Sequence, residues 1–209
     1  MQTKQAYAHW ASTYDSDGNR TRDLDEVVTR KVLGGLRCKS ILEIGCGTGK
    51  NTRLFAQIGA QVKALDFSEA MIAQAQRKSS ARNVEFIVAD LTQRWPVDDD
   101  SVDLISCNLV LEHIADLNRV FAEAARVLTP GGKLFVSELH PFRQYQGTVA
   151  TFTRADEAIQ IPAFVHHISD FLESASANGL ALGQLNEWWH AEDEGKPPRL
   201  ITIVFAKSG

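Results

Sequence analysis

Three glycines on alternate positions, Gly45, Gly47 and Gly49, follow the apolar, branched run Ile41-Leu42-Glu43-Ile44. Glycine at this spacing lets a backbone take positive φ and approach a ligand with no Cβ between them. Placed between a strand and the start of a helix, such a turn makes a seat for a nucleotide-like ligand. Polar residues also stand where later apolar runs stop: Asp66, Asp90, Asn108 and Glu138-Leu139-His140. Histidine titrates in the range useful for proton transfer, so His113, His140 and His9 are the candidate bases. His140 ranks first, because it follows a strand directly and precedes Pro141-Phe142. His167 and His190 stand further back. Adjacent residues of a strand face opposite sides, so His166-His167 is not a metal pair, and no metal is expected.

These residues need a scaffold that gathers strand ends on one edge. Apolar runs predict strands at 40–44, 61–65, 84–89, 102–107 and 133–138. Helical spacing fills the intervals: a helix after Gly49 with Leu54, Phe55 and Ile58 inward, one from Glu69 to Lys78, and one from Asp116 to Leu128. Ser68 is a suitable N-cap, and Thr129-Pro130-Gly131-Gly132 reads as a turn. Upstream, Leu24, Val27, Val28, Val32 and Leu33 mark a helix within 23–36, while Tyr7, Trp10 and Tyr14 share one face of another. Downstream, extended segments at 147–153 and 158–165, separated by 154–157, predict a hairpin. Ser169 would cap a helix over 170–178 closed by Gly179, and strands at 180–188 and 199–206 would pair antiparallel. This is an α/β pattern: a seven-stranded, mostly parallel sheet with helices on both faces and an antiparallel last strand. We expect a single domain over 1–209, with 1–22 as an N-terminal lid and 140–168 as a substrate-side insertion. Ligands of such sheets bind at the carboxyl ends of the strands.

The net charge of −4 provides no basic field to draw nucleic acid, so no nucleic-acid partner is expected. Cys38, Cys46 and Cys107 lack metal-ligand spacing, and two of them sit in or beside expected buried strands, where a reduced cysteine is a common core residue. No run approaches the ~18 apolar residues of a membrane span, and residues 1–5 lack a signal-type apolar core. A cytoplasmic protein, monomeric or homodimeric, is the expectation.

The dinucleotide fingerprint G-x-G-x-x-G requires a third glycine where this chain has Lys50. With the acidic residue in front, the stretch reads Glu43-x-Gly45-x-Gly47-x-Gly49 and resembles motif I of the Rossmann-like class I S-adenosylmethionine-dependent methyltransferases. The resemblance continues in order through Asp66, Ala89-Asp90 and Leu128-Thr129-Pro130-Gly131-Gly132, covering roughly residues 38–140. Tyr14-Asp15 and Leu109-x-x-x-His113 further resemble the branch containing quinone-biosynthesis and malonyl-carrier methyltransferases. The resemblance implies S-adenosylmethionine as cofactor, S-adenosylhomocysteine as product and a small-molecule acceptor. It implies a cofactor site built from Tyr14, Glu43, Gly45, Cys46, Gly47, Gly49, Asp66, Phe67, Ser68, Met71, Ala89, Asp90, Leu91, Asn108 and Leu109, with the methionine moiety over the glycine turn and Asn108.

The residue chemistry suits that ligand. A carboxylate at Asp66 can accept both ribose hydroxyls, Phe67 and Met71 offer the adenine an apolar wall, and Asp90 can accept from its amino group beside the Leu91 backbone. Gly47 lets the backbone approach the amino-acid portion, and Arg20 or Arg22 could pair with its carboxylate. Phe142, Tyr145, Phe152 and Phe164 could line the acceptor site. Of Trp188 and Trp189, one is expected in the core and the other toward the pocket or a partner. A nicotinamide-dependent oxidoreductase and a non-catalytic cofactor-binding protein are the competing functions.

Overall fold

The computed structural model describes residues 3–154 and 157–209. The chain runs α1 (Thr3–Trp10), α2 (Arg20–Leu33), β1 (Cys38–Ile44), α3 (Thr52–Ile58), β2 (Gly59–Asp66), α4 (Glu69–Lys78), β3 (Val84–Val88) and β4 (Val102–Asn108). After a short 3₁₀ turn at Leu111–His113 come α5 (Leu117–Val127), β5 (Leu128–Leu139), α6 (Pro141–Tyr145), β6 (Thr151–Arg154), β7 (Glu157–Gln160), α7 (Ile168–Ala177), β8 (Leu180–Trp188) and β9 (Leu200–Lys207). Seven strands form one sheet in the order β3-β2-β1-β4-β5-β9-β8. β9 runs antiparallel to both of its neighbours, β5 and β8, as the sequence pattern predicts, and the other pairings of the sheet are parallel. Strand order reverses between β1 and β4, which opens a crevice beyond their carboxyl ends.

Side chains alternate between the two faces with the strand period of two. Ile41, Leu104 and Phe135 join Leu33, Leu54, Phe55 and Ile58, under α2 and α3. Leu42, Ile44, Ile105 and Val136 join Trp95, Phe121, Phe171 and Phe205, under α5 and α7. Both faces of the sheet are therefore covered.

Three local expectations are corrected. Residues 129–132 are not a turn ahead of β5 but a bulge within it: Leu128 pairs with Val102 and Lys133 with Leu104, and Gly131 takes φ +77° between them. The cap of α7 is His167, not Ser169, because the Asp170 carboxylate accepts the His167 N–H at 2.8 Å. Pro141, with its fixed φ, starts the short α6 that the sequence reading left out. The hairpin is present as β6–β7 and is shorter than expected. Val27, expected among the apolar markers of α2, is exposed. Residues 155 and 156, and the side chain of Phe152 offered for the acceptor site, lie outside what the structure describes.

Candidate functional site

Each glycine of the turn has a different physical reason. Gly45 takes φ +72°, and a Cβ there would stand 2.1 Å from the Val110 Cγ2 methyl, so no side chain fits. Gly49, at φ +83°, lies against Ala75 of α4, where a Cβ would come within 3.2 Å. Gly47, at φ +53°, has nothing within 4 Å of its Cβ position and faces open space. The turn is tied to the end of β2 by the N–H groups of Gly45 and Cys46, which share the Leu65 carbonyl at 2.8 and 2.9 Å. We expect Gly45→Ala to destabilise the fold by about 2–5 kcal/mol, from overpacking together with left-handed strain. A urea midpoint matching that of the parent would contradict this.

Asp66 closes the turn from the neighbouring strand. Its Oδ2 accepts the Gly47 N–H at 2.9 Å and its Oδ1 accepts the Ser68 N–H at 2.8 Å. Between Asp66 and the opposite wall lies a cavity of about 230 Å³. Gly45, Gly47, Phe67 and Met71 line one side, Asp90 and Leu91 its far end, and Asn108, Leu109 and His113 the other. Tyr7 and Tyr14 roof it from the N-terminal segment. That segment is latched to the turn itself: Asp15 accepts from the Thr48 hydroxyl at 2.7 Å and from Lys78 Nζ at 2.5 Å. Beyond Tyr7, Tyr14 and Leu109 opens a second cavity of about 500 Å³.

A family model described as a methyltransferase domain matches residues 42–136, the span from the glycine turn through β5. The chain is 32% identical over 159 residues to a ubiquinone biosynthesis O-methyltransferase from Xanthomonas oryzae pv. oryzae, covering 73% of this chain and 63% of that one. It is 34% identical over 134 residues to a malonyl-[acyl-carrier protein] O-methyltransferase from Pseudescherichia vulneris, covering 64% and 52%. Residues 42–136 carry a methyltransferase domain of the class I S-adenosylmethionine-dependent kind. The chain spans between half and two thirds of the length of these two relatives. Among solved structures, the N-methyltransferase NodS from Bradyrhizobium japonicum WM9, in complex with S-adenosyl-L-homocysteine, superposes over 100% of both chains with a TM-score of 0.75 at 17% identity. That likeness shows the shared fold.

Several of the residues expected at the site stand behind the cavity wall. Glu43 turns toward α3, where it accepts from the Thr52 hydroxyl at 2.5 Å. With Cys46 it borders a cleft of about 50 Å³ beneath the turn. Ser68 caps α4 by accepting the Met71 N–H at 3.3 Å, and the Ala89 N–H donates to the Asp66 carbonyl at 2.9 Å. Asn108 lines the cavity, but its amide nitrogen donates at 2.8 Å to Asp25 and to Thr29.

The histidines divide. His113 lies in the wall of the smaller cavity, and its Nε2 meets the Tyr7 hydroxyl at 2.7 Å. Its Nδ1 lies 3.1 Å from the Pro162 carbonyl, which can only accept, so Nδ1 carries the proton and Tyr7 donates to Nε2. His140, the first-ranked base, is a helix cap instead. Its Nδ1 accepts the Phe142 N–H at 3.1 Å, its Nε2 donates to Glu187 at 2.9 Å, and it borders neither cavity. The strand end that carries it is covered by α6, which the sequence reading lacked. His9 is exposed on the outer side of α1. His166 and His167 lie ahead of α7 rather than in a strand: His166 Nε2 donates to the Leu111 and Ile114 carbonyls at 3.1 and 2.8 Å, while His167 caps α7.

The larger cavity is bordered by Tyr7, Trp10 and Tyr14 and by residues 148–151 of the insertion. Phe142, Tyr145 and Phe164, offered for that role, are instead about half exposed on the outside. Trp188 is half-buried, with its indole N–H on Thr202 at 2.9 Å, and Trp189 is exposed. Arg20 pairs with Glu192. Arg22 is buried, donates to the Tyr14 and Asp17 carbonyls, stacks 4.0 Å from the Tyr14 ring centroid, and leaves Nε without a partner.

Asp25 is the group that sequence reasoning missed, and Glu138, a strand-end residue in the sequence, gains its partners only in the fold. Asp25, buried on α2, accepts from Asn51 at 2.8 Å, Asn108 at 2.8 Å and Ser137 at 2.6 Å, joining α2 to the loop ahead of α3 and to the ends of β4 and β5. Its signal was a carboxylate at position i of a stripe continued by Val28 and Thr29, the buried face of the helix. Glu138 accepts the Val110 and Leu111 N–H groups, both at 2.9 Å, from inside an apolar strand.

These buried acids set the pH response. Burial pushes the carboxyls of Glu43 and Glu138 up to about 8 and that of Asp66 up to about 6, and it raises Asp25 as well. A folded pKa above the unfolded value of 4.5 for Glu means that the folded state keeps protons the unfolded chain has released. The resulting stability is complete below that value and is lost as pH rises toward 8, at up to about 1.4 kcal/mol per pH unit for each group. Asp15 and Glu123, held low by their partners, act in the opposite sense and only in the acid range. The urea midpoint is therefore expected to be higher at pH 5.5 than at pH 8.5. The double variant Glu43→Gln/Glu138→Gln should flatten that slope; a midpoint rising with pH would contradict it.

Proposed function

We propose that the protein transfers a methyl group from S-adenosylmethionine to a small-molecule acceptor by in-line displacement and releases S-adenosylhomocysteine. The observation that carries this reading is the pairing of Gly47 with Asp66. Gly47 leaves the backbone approach open, and each Asp66 oxygen accepts one N–H and keeps a lone pair for one of two neighbouring hydroxyls. The rest of the cavity fits the same cofactor. Phe67, Met71 and Leu91 supply apolar contact for adenine, and Asp90 an acceptor for its amino group. Arg22, with its unpartnered Nε beside the cleft at residues 43–48, suits the amino-acid carboxylate. Glu43, Gly45, Cys46, Gly49, Ser68, Ala89, Asn108 and Leu109 shape this seat, and Tyr14 covers it.

The cofactor when bound supplies a methyl already activated on a sulfonium. The work left to the chain is to align the acceptor with that methyl and to exclude water, an effect worth up to ~7–11 kcal/mol in favourable intramolecular models. The lid over residues 1–22 and the insertion over 140–168 hold the acceptor side. Oxygen is the acceptor atom favoured by the named activities of the two relatives.

We further read the chain as a single cytoplasmic domain, alone or as a homodimer, without a nucleic-acid partner. The free cysteines and the net charge of −4 support this. Among the described residues no helix is long and apolar enough to cross a membrane. Lys50 pairs with Asp23 at 2.9 Å and Glu26 at 3.4 Å where a dinucleotide fold has its third glycine, which disfavours an oxidoreductase. Calorimetric titration separates the two. S-adenosylhomocysteine should bind and NADH should not; binding of NADH alone would sink the proposal.

A further inference from the structure

The turn between β4 and α5 is held more firmly than a connection requires. Leu109 sits at φ +56°, a left-handed conformation costing about 1–2 kcal/mol for a residue with a Cβ. Backbone strain of this kind persists where the surroundings over-determine it, and it clusters at working sites. Here the surroundings act from three directions. Glu138 of β5 takes the Val110 and Leu111 N–H groups. From the insertion, the Phe164 N–H donates to the Glu112 carbonyl at 2.7 Å and His166 donates to the Leu111 and Ile114 carbonyls. From the lid, Tyr7 bonds His113.

What this frame presents is Glu112. Its side chain is buried and borders the 500 Å³ cavity, as the one carboxylate among the described residues that do so. Its Oε1 stands 3.6 Å from Nε2 of His113, which belongs to the smaller cavity, and Tyr7 borders both. Glu112 is therefore at the junction between the proposed cofactor seat and the space left for an acceptor. A group fixed by packing and hydrogen bonds on rigid elements is preorganised for chemistry.

We propose that Glu112 is the general base that takes the proton from a hydroxyl acceptor in the larger cavity; this rests on the methyltransferase reading above. The acceptor O–H bond breaks toward a Glu112 oxygen. The acceptor oxygen forms its bond to the methyl carbon as the carbon–sulfur bond breaks, and that electron pair stays on sulfur as a neutral thioether. The proton leaves Glu112 for solvent afterwards. Burial raises the Glu112 carboxyl, which strengthens it as a base, while the Gln144 amide favours its ionised form. The titratable groups facing it are His113 on its own turn, Tyr7 from α1 and Glu138 from β5.

The aromatic wall of Tyr7, Trp10 and Tyr14 makes substituted benzenes suitable probes. Phenol, aniline and benzoate would be offered with S-adenosylmethionine to the parent, Glu112→Gln and Glu112→Asp, with S-adenosylhomocysteine affinity measured in parallel. Phenol should be methylated, and Glu112→Gln should lower kcat by 10²–10⁴-fold with product affinity unchanged. Glu112→Asp should recover part of the rate, and the acid limb of the kcat–pH profile should vanish in Glu112→Gln. Phenol turnover by Glu112→Gln at the parent rate would overturn the assignment of Glu112. Methylation of aniline or benzoate without phenol, or of no probe by a protein that binds S-adenosylhomocysteine, would also overturn it. Failure to bind S-adenosylhomocysteine at all would instead remove the methyltransferase reading on which it rests.

Discussion

Asp66→Ala is expected to weaken S-adenosylhomocysteine binding by more than tenfold. A hydrogen bond to a charged group contributes roughly 1.5–3 kcal/mol, so losing two ribose hydroxyls gives about 3 kcal/mol, or roughly 100-fold. The variant also releases the Gly47 N–H, which Asp66 holds at 2.9 Å, so the glycine turn loses its brace. Asp66→Asn keeps one oxygen acceptor in the same volume and should fall between parent and alanine. Because burial sets the Asp66 carboxyl at about 6, affinity should rise as pH increases through that value and the group ionises. Calorimetric titration at pH 5 and pH 7.5, with circular dichroism to confirm folding, measures both effects. Unchanged affinity in Asp66→Ala would refute the ribose assignment.

The largest effect on stability is expected at Asp25. Three donors converge on its carboxylate from Asn51, Asn108 and Ser137. Alanine would leave them buried without that acceptor, at about 1–3 kcal/mol apiece. Relief of the desolvated carboxyl, whose pKa burial raises despite these donors, offsets part of that. We expect a net loss of at least about 3 kcal/mol by urea unfolding, with Asp25→Asn milder because it keeps one acceptor oxygen. A loss under about 1 kcal/mol would mean that the network contributes little. Asn108 sits in the cavity wall, so any folded Asp25→Ala protein should also bind S-adenosylhomocysteine more weakly.

What the sequence made legible was local. The N-cap of α4 at Ser68, the positive φ of Gly179 after α7 and the parity of Ile41 against Leu42 each follow from a few neighbouring residues. The same holds for the cavity: Gly47, Asp66, Phe67, Met71, Asp90 and Leu91 meet because parallel strands deliver their ends to one edge. What stayed hidden depends on which distant segments touch. Asp25 and Ser137 lie 112 positions apart, and no local pattern pairs them. Glu112 has no local signal in the sequence, and only the folded insertion and lid close around it. His140 followed a strand end as expected, but α6 turned it into a cap.

The central claim is that the carboxyl edge of β1 and β2 seats S-adenosylmethionine through Asp66 and the open face of Gly47. A structure of the protein with S-adenosylhomocysteine tests it most directly. The account predicts both ribose hydroxyls at hydrogen-bond distance, ~2.7 Å, from the Asp66 oxygens. It also predicts adenine against Phe67 and Met71, and sulfur facing the cavity that Glu112 borders. A nucleoside bound away from Asp66, or a sulfur turned from that cavity, would contradict it.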